Sequence, residues 1–184
     1  VLLDPFCGSG TILIEAAMIG KNLAPGLDRS FDAEKWPVVP EELWYEERIK
    51  ARKAIDHSVK LNLLGCDTDK RSILRARDNA ANLGLEDDIA FFVKDMREVD
   101  LNDDYGVVIT NPPYGERMGD MEEIKMLHMD LGEKFRALST WSVYVITSNE
   151  EFEMQYGKKA DRKRKLYNGR IKVDYYQYYG PRPT

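Results

Sequence analysis

The residues best suited to chemistry in this sequence are Asn111, Pro112, Pro113 and Tyr114, which come just after the apolar run 107–109. An apolar run that ends in a polar residue and two prolines predicts a buried strand followed by a rigid loop. Proline donates no backbone N–H, so the carbonyl groups of this loop can point outward as acceptors. With the side-chain carbonyl of Asn111 and the aromatic face of Tyr114, they would form a socket for a planar NH2 group, such as a nucleobase amine. An ordinary proline-rich loop has the same appearance, and the rest of the chain decides between the two.

A second candidate site is the loop Gly8-Ser9-Gly10, which lies between the apolar run 1–3 and an apolar helical pattern over 11–19. Glycines in this place allow the backbone to approach a ligand closely at the N-terminus of a helix. The full dinucleotide fingerprint is absent because leucine replaces its third glycine, and no Gly-Lys-Ser/Thr follows for a Walker A loop. These departures disfavour a nicotinamide dehydrogenase.

Acidic residues follow the next two predicted strands. Asp67 comes where the ribose hydroxyls of a nucleotide are usually held, and Asp95 could accept a hydrogen bond from an adenine amine. Met96, beside it, could pack on the adenine ring. Each acid could instead be a helix cap or a loop residue. Acids at the ends of successive strands are less expected by chance than a single acid, which favours an adenosine-containing cofactor.

The elements that must position these loops alternate along the chain. Apolar runs predict strands at 1–3, 61–65, 89–93, 105–110 and 141–147, and helical periodicity predicts helices at 11–19, 41–59, 70–83, 121–138 and 150–156. Gly20 is the predicted stop of the first helix, Asp69 the N-cap of the third, and Phe31 and Trp36 the anchors of an irregular connection over 21–40. Asn168-Gly169 predicts a hairpin between 163–167 and 171–179. This alternation predicts a mostly parallel α/β sheet with helices on both faces.

Composition limits the classes of function. The chain has 184 residues, enough for one domain, and a net charge of −5, so nucleic acid would need a local basic patch. The one basic cluster, with Lys163, Arg164 and Lys165, is either a solvated edge or an RNA phosphate contact.

Two cysteines make no disulfide framework and suit a reducing cytoplasm, and no apolar run has membrane-spanning length. His57 and His128 lack metal-ligand spacing and are interpreted as surface or helix-face residues, so no metal is expected.

The motifs together resemble a known family. The stretches 4–11 (Asp-Pro-Phe-Cys-Gly-Ser-Gly-Thr) and 111–115 (Asn-Pro-Pro-Tyr-Gly), with Asp67 and Asp95, are similar to class I S-adenosylmethionine-dependent methyltransferases that act on amino groups. The segments 24–36 and 164–169 narrow the resemblance to bacterial RlmL-type (THUMP-associated) 23S rRNA guanine-N2 methyltransferases. Members of that family are often labelled N6-adenine-specific DNA methylases.

The resemblance implies a Rossmann-like fold with a seven-stranded, mostly parallel sheet that ends in an antiparallel β-hairpin. It also implies roles for individual residues. The methionine part of S-adenosylmethionine would lie among Asp4, Phe6, Gly8, Gly10 and Thr11. Its ribose would bind to Asp67 and its adenine to Asp95 and Met96. The target amine would bind to Asn111, Pro112, Pro113 and Tyr114, and RNA would bind to Arg117, Lys163, Arg164 and Lys165. Relatives usually carry an N-terminal THUMP region, so residues 1–184 are interpreted as one catalytic domain, a C-terminal fragment.

Three interpretations of the function remain open. The resemblance favours methylation of guanine N2 in large-subunit ribosomal RNA. The same socket would accept adenine N6 of DNA or RNA, since both amines present two hydrogens. A non-catalytic module that binds the cofactor or ribosomal RNA is a third, of another class, and the intact Asn-Pro-Pro-Tyr loop argues against it. Neither the modified nucleotide nor the oligomeric state follows from the sequence.

Overall fold

The computed structural model describes residues 1–114 and 120–183. In chain order the elements are β1 (Leu2–Asp4), α1 (Thr11–Gly20), α2 (Glu41–Lys53), β2 (Leu63–Asp67), α3 (Lys70–Ala81), β3 (Ile89–Val93), β4 (Val107–Thr110), α4 (Asp120–Arg136), β5 (Ser142–Thr147), α5 (Phe152–Tyr156), β6 (Arg162–Asn168) and β7 (Ile171–Tyr178). Short 3-10 turns lie at Asp32–Lys35 and Met96–Glu98.

The predicted fold class is confirmed. Seven strands form one sheet in the order β3-β2-β1-β4-β5-β7-β6, with β1 to β5 parallel and β7 antiparallel to both β5 and β6. The order along the sheet reverses at β1, which pairs with β2 on one side and β4 on the other. Because the carboxyl ends of parallel strands share one edge, the loops after β1, β2, β3 and β4 lie side by side.

Apolar side chains form a core on each face of the sheet. Against α4 and α5 the core includes Leu3, Leu131, Phe135, Trp141, Phe152, Tyr156, Tyr176 and Tyr178. Against α1 and α3 the core contains Leu13, Ile14, Ala17, Ile73, Ala76 and Phe91. On α1, Leu13, Ile14, Ala17 and Met18 are buried, whereas Ile19 in its last turn is 79% exposed.

Several predicted boundaries are wrong by a few residues. The first helix includes Gly20, and the left-handed residue after it is Asn22, with φ of 56°. The second helix ends at Lys53 rather than at 59, because the carboxylate of Asp56 accepts hydrogen bonds from the backbone and hydroxyl of Ser58 and builds a turn there. The strands β2 and β4 begin two residues later than predicted, and β2 extends to Asp67. In the hairpin, residue 168 belongs to β6, and the loop is Gly169-Arg170.

Only one of the two expected aromatic anchors holds the connection before α2. Phe31 stacks on Trp44 with ring centroids 6.1 Å apart, whereas Trp36 is 59% exposed. The guanidinium of Arg48 donates hydrogen bonds to the carbonyl oxygens of Leu27 and Arg29 and pairs with Glu34. This arginine and the Phe31–Trp44 stack, and not Trp36, fix the irregular segment on α2.

The histidines agree with the prediction in part. His57 is a surface residue, as predicted, and lies in the turn after α2. His128 is fully buried on α4, where its Nδ1 lies 2.8 Å from Oε1 of Gln155 and its Nε2 has no hydrogen-bond partner among the described residues. Burial lowers the pKa of His128, with partial opposition from the Gln155 contact, so the ring is neutral at neutral pH.

The contact between α4 and α5 gives a test of this packing. Alanine usually stabilises a helix interior relative to glycine, but a Cβ on Gly132 would lie 2.1 Å from the backbone oxygen of Tyr156. We therefore expect Gly132→Ala to lower the free energy of unfolding by about 1–3 kcal/mol, the usual cost of overpacking. Urea denaturation measures this. Glu133→Ala, an exposed change on the same helix, is the control, and equal stability of the two variants would contradict the packing described here.

Candidate active site

The predicted site loops meet along one edge of the sheet. Leu3 of β1 pairs with Leu64 of β2 and with Val108 of β4, and β2 and β3 pair up to Asp67 and Val93. From one side to the other, the edge therefore presents the loop with Asp95, the end of β2, the glycine loop and the Asn-Pro-Pro-Tyr loop. The structure brings these four groups of residues together as the sequence predicts.

The glycine loop has the backbone conformation that its residues favour. Gly8 and Gly10 have φ of 52° and 84°, in the left-handed region that disfavours other residues. A Cβ on Gly10 would lie 2.9 Å from the ring of Phe91, whereas a Cβ on Gly8 would meet no atom within 4 Å. The first turn of α1 has no side-chain cap, so its free N–H groups are available to a ligand at this end of the helix. The loop thus has room for a ligand against its backbone.

Phe6 and Thr11 flank this loop. Phe6 packs against the core on the α4 side of the sheet, and Thr11 is exposed, with its hydroxyl 3.5 Å from that of Ser9. The carbonyl of Ser9 accepts a hydrogen bond of 3.0 Å from the side-chain amide of Asn79 on α3. Asn79 was missed by sequence reasoning because it lies 70 residues from Ser9.

Asp67 holds the glycine loop in place. Its Oδ2 accepts a hydrogen bond of 3.0 Å from the N–H of Gly8, and its Oδ1 accepts one of 2.9 Å from the N–H of Asp69. Asp69 in turn caps α3 by accepting from Arg71 and Ser72, as predicted. The carboxylate of Asp67 therefore connects the ends of two neighbouring strands.

Asp95 is fixed by an arginine that sequence reasoning missed. Its two oxygens accept hydrogen bonds from the backbone N–H and the guanidinium of Arg97, at 2.8 and 2.9 Å. The same guanidinium binds Asp130 on α4 through Nε at 2.7 Å and Nη2 at 2.6 Å. Met96 is 2% exposed and packs in the core, so its side chain supports the loop from beneath.

Asp4 lies under the loops rather than on their surface. It is 1% exposed, and its Oδ1 accepts hydrogen bonds from the Thr110 hydroxyl at 2.7 Å and from the N–H of Phe6 at 3.2 Å. Burial raises the pKa of Asp4 to about 6, against the opposing effect of both hydrogen bonds, and the nearby Asp67 raises it further. Thr110 is a second residue that sequence reasoning missed.

The Asn-Pro-Pro-Tyr loop presents its residues unequally. Asn111 and Pro113 are exposed, Pro112 is buried, and Tyr114 is half-buried. The Tyr114 hydroxyl is enclosed without a hydrogen-bond partner among the described residues. Asn111 is thus the most accessible polar group of the loop.

The candidate RNA residues do not form one patch. The amine of Lys163 lies 3.1 Å both from Oδ2 of Asp174 and from the hydroxyl of Tyr176, so this lysine is engaged with β7. Lys165 lies on the same face of the sheet as Lys163, whereas Arg164 lies on the other face, and both are exposed. Charges on an edge strand also prevent its pairing with other chains. Arg117 lies outside the described residues.

Two cysteines lie near this edge. Cys7 and Cys66 are buried and free, and burial raises the pKa of both thiols, that of Cys66 to about 12. Within residues 1–114 and 120–183, no three His, Cys, Asp or Glu side chains are grouped as metal ligands would be. None of the helices in the same ranges is long and apolar enough to cross a membrane.

The raised pKa of Asp4 predicts how stability depends on pH. The folded protein holds this proton more tightly than the unfolded chain, so ionisation destabilises the fold as pH rises from 3.8 to about 6. Asparagine carries no charge at any pH. We expect the free energy of unfolding of Asp4→Asn, relative to wild type, to rise by up to about 3 kcal/mol between about pH 4 and about pH 7. Urea titrations at both pH values measure this, and a difference independent of pH would contradict the assignment.

Comparison with known proteins places this geometry in a family. Residues 1–177 match the family described as "RMKL-like, methyltransferase domain". The Bacillus subtilis protein named "Putative RNA methyltransferase YpsC" is 45% identical over 177 residues, which are 96% of this chain and 46% of that protein. Ribosomal RNA large subunit methyltransferase K/L of Shewanella baltica is 39% identical over 182 residues, 96% of this chain and 26% of that protein. The chain thus spans about half the length of the first relative and about a quarter of the second.

Solved structures agree in fold. A crystal structure of SMU.472, described as a methyltransferase complexed with SAH, superposes with a TM-score of 0.94 at 46% identity, over 100% of this chain and 48% of the other. The crystal structure described as "a possible methylase from Clostridium difficile 630" gives a TM-score of 0.95 at 50% identity, again over 100% of this chain and 48% of that one. The family match extends over the glycine loop, both strand-end acids and the Asn-Pro-Pro-Tyr loop, and the chain belongs to the RMKL-like methyltransferase domain family.

Proposed function

We propose that this chain is the catalytic domain of an S-adenosylmethionine-dependent RNA methyltransferase that methylates an exocyclic base amine, guanine N2 of 23S ribosomal RNA. The observation that carries the proposal is the pairing of β1 with β4, which sets the glycine loop beside Asn111-Pro112-Pro113-Tyr114. A cofactor held on the first loop would therefore lie next to an amine held on the second. Methyl transfer requires this alignment more than any other contribution from the protein.

The cofactor is assigned from the shape of the edge and from a relative. The space in front of Gly8, the uncapped start of α1 and the carboxylate of Asp67 fit a nucleoside with a charged tail. Gly10, Phe6 and Thr11 border the same space, with Asp95 at its far end. The SAH bound to SMU.472, which shares 46% of its aligned residues with this chain, supports the choice.

The chemistry follows from the acceptors at Asn111 and Pro112. S-adenosylmethionine, when bound, supplies a methyl group that is already activated. The base amine is a poor nucleophile because its lone pair is delocalised into the ring. The side-chain oxygen of Asn111 and the carbonyl of Pro112 would accept its two hydrogens, which localises the lone pair and stabilises the developing positive charge. The ring of Tyr114 would stack on the base, with Pro113 keeping the loop rigid.

The choice of guanine in ribosomal RNA rests on likeness to relatives. It follows the name of the K/L relatives and the resemblance over 24–36 and 164–169. A target base must leave its stack to reach the loop, which favours an unpaired nucleotide. Adenine N6 is the second candidate, favoured by the structure described as a predicted N6-adenine-specific DNA methylase from Listeria monocytogenes, at 47% identity. The chemistry of the loop accepts either amine.

Removal of the amine acceptor tests the reaction. Asn111→Ala in the full-length protein should leave SAH affinity within about twofold of wild type and lower methyl transfer to unmodified ribosomal RNA at least about a hundredfold, since the contact serves the reacting nitrogen. Calorimetry and nucleoside mass analysis measure the two effects. Asn102→Ala, an exposed asparagine in the loop before β4, is the control. Full activity in Asn111→Ala would overturn the proposal. N6-methyladenosine as the sole product would show that the target base is adenine and not guanine.

Salt dependence tests the RNA contacts of β6. Arg164→Gln and Lys165→Gln should each weaken RNA binding. Each should also reduce the salt slope, the slope of log affinity against log salt concentration, by at most about one per lost phosphate contact. Lys163→Gln should change the slope less and the stability more, because its amine is bound to Asp174. Lys53→Gln with Lys60→Gln, exposed lysines near the end of α2, is the control. If the salt slopes of the Arg164 and Lys165 variants equal that of wild type, these residues do not contact RNA and β6 is only a charged edge strand.

A further inference from the structure

We propose that Asp4 and Thr110 are positioning residues, whose buried hydrogen bond sets the distance between the cofactor loop and the amine-accepting loop. This inference rests on the proposed methyl transfer. Asp4 is the last residue of β1 and Thr110 the last of β4, each followed directly by one of the two loops. The bond from the Thr110 hydroxyl to Oδ1 of Asp4 is 2.7 Å long.

The bond lies where the backbone no longer holds the two strands together. Pairing between β1 and β4 joins Leu2 with Val107 and Leu3 with Val108. The next link between the strands is the side-chain bond of Asp4 with Thr110, after which each chain turns away into its loop. It is therefore the last link between β1 and β4 before the chain reaches Asn111, while the other side of Thr110 pairs with Val145 of β5.

One carboxyl oxygen holds both loops. Oδ1 of Asp4 accepts from Thr110, which is bonded covalently to Asn111, and also from the N–H of Phe6 inside the cofactor loop, at 3.2 Å. Asp4 is 1% exposed and Thr110 0%, so water does not compete for these bonds. A displacement of either loop would break a bond between buried polar groups, which is costly.

Stability alone does not account for an acid in this place. In the described part of the chain, the groups that influence the Asp4 carboxyl are Thr110, Phe6 and a second acid, Asp67, with no lysine or arginine among them. A buried carboxylate without a cation is unfavourable, and a pair of apolar side chains of similar size would pack here at lower cost. The geometry points to alignment of the two loops as the gain that offsets this cost.

Replacement of the hydroxyl separates positioning from packing. Thr110→Val keeps the shape of the side chain and removes the donor, whereas Thr110→Ser keeps the donor. In the full-length protein, with active protein counted by SAH calorimetry, we expect Thr110→Val to lower kcat about ten- to hundredfold and leave the SAH Kd within about twofold, because small misplacements of reacting groups are that costly. Thr110→Ser should recover most of the wild-type kcat. Wild-type kcat in the valine variant, or equal losses in both variants, would overturn the inference.

A readout without methylation keeps the test independent of the proposed function. The amide N–H groups of Asn111 and Tyr114 should exchange with solvent hydrogen faster in Thr110→Val than in Thr110→Ser or wild type, since the loop loses its link to β1 and keeps only the pairing of Thr110 with β5. Unchanged exchange contradicts the positioning role. If wild type methylates no RNA while exchange changes as expected, the proposed function fails and the link between the loops stands.

Discussion

The parallel pairing of β1 with a neighbour on each side is the constraint on which the rest of the structure depends. It brings the end of β2 to one flank of the glycine loop and the end of β4 to the other. Hydrogen bonds between paired strands fix the positions of their backbones. The loops that follow these strands therefore have a defined spacing, although they are far apart in sequence. The two cores, under α4 and under α1 with α3, stabilise this sheet from both faces.

Polar contacts then hold the loops after β1 and β3 in place. Asp67 fixes Gly8, Asn79 fixes Ser9, and Arg97 connects Asp95 to α4. Groups fixed in advance lose less entropy when a ligand binds, so this network favours a site formed before binding. The same carboxylates that would bind a nucleoside thus also maintain the shape of the edge.

Local patterns predicted the parts of the fold that local physics decides. The third strand was predicted residue for residue at Ile89–Val93, because a turn bounds it on both sides. The second helix was predicted too long because Asp56 suits either a helix or a turn. In the structure its side chain forms a turn with Ser58, and the helix does not continue. His128 had a readable signal, since it lies four residues after the buried Ile124 and hence on the same helix face.

Contacts between distant residues could not be predicted. Asp4 and Thr110 are 106 residues apart, and Arg97 and Asp130 are 33 apart, and no spacing rule joins such pairs before the sheet is known. The strand-end positions of the candidate site followed from the alternation of strands and helices. The burial of Asp4 and Met96 did not, because motif residues can serve a loop from beneath as well as from its surface.

Amide hydrogen exchange with and without SAH tests the central claim, that one edge of the sheet holds the cofactor beside the amine loop. In the full-length protein, we expect SAH to slow exchange at residues 6–11, 67–69 and 95–97 and to leave the hairpin of β6 and β7 unchanged. Protection confined to residues 23–29 beside α1, or to the hairpin, with no change at the glycine loop, would contradict the account.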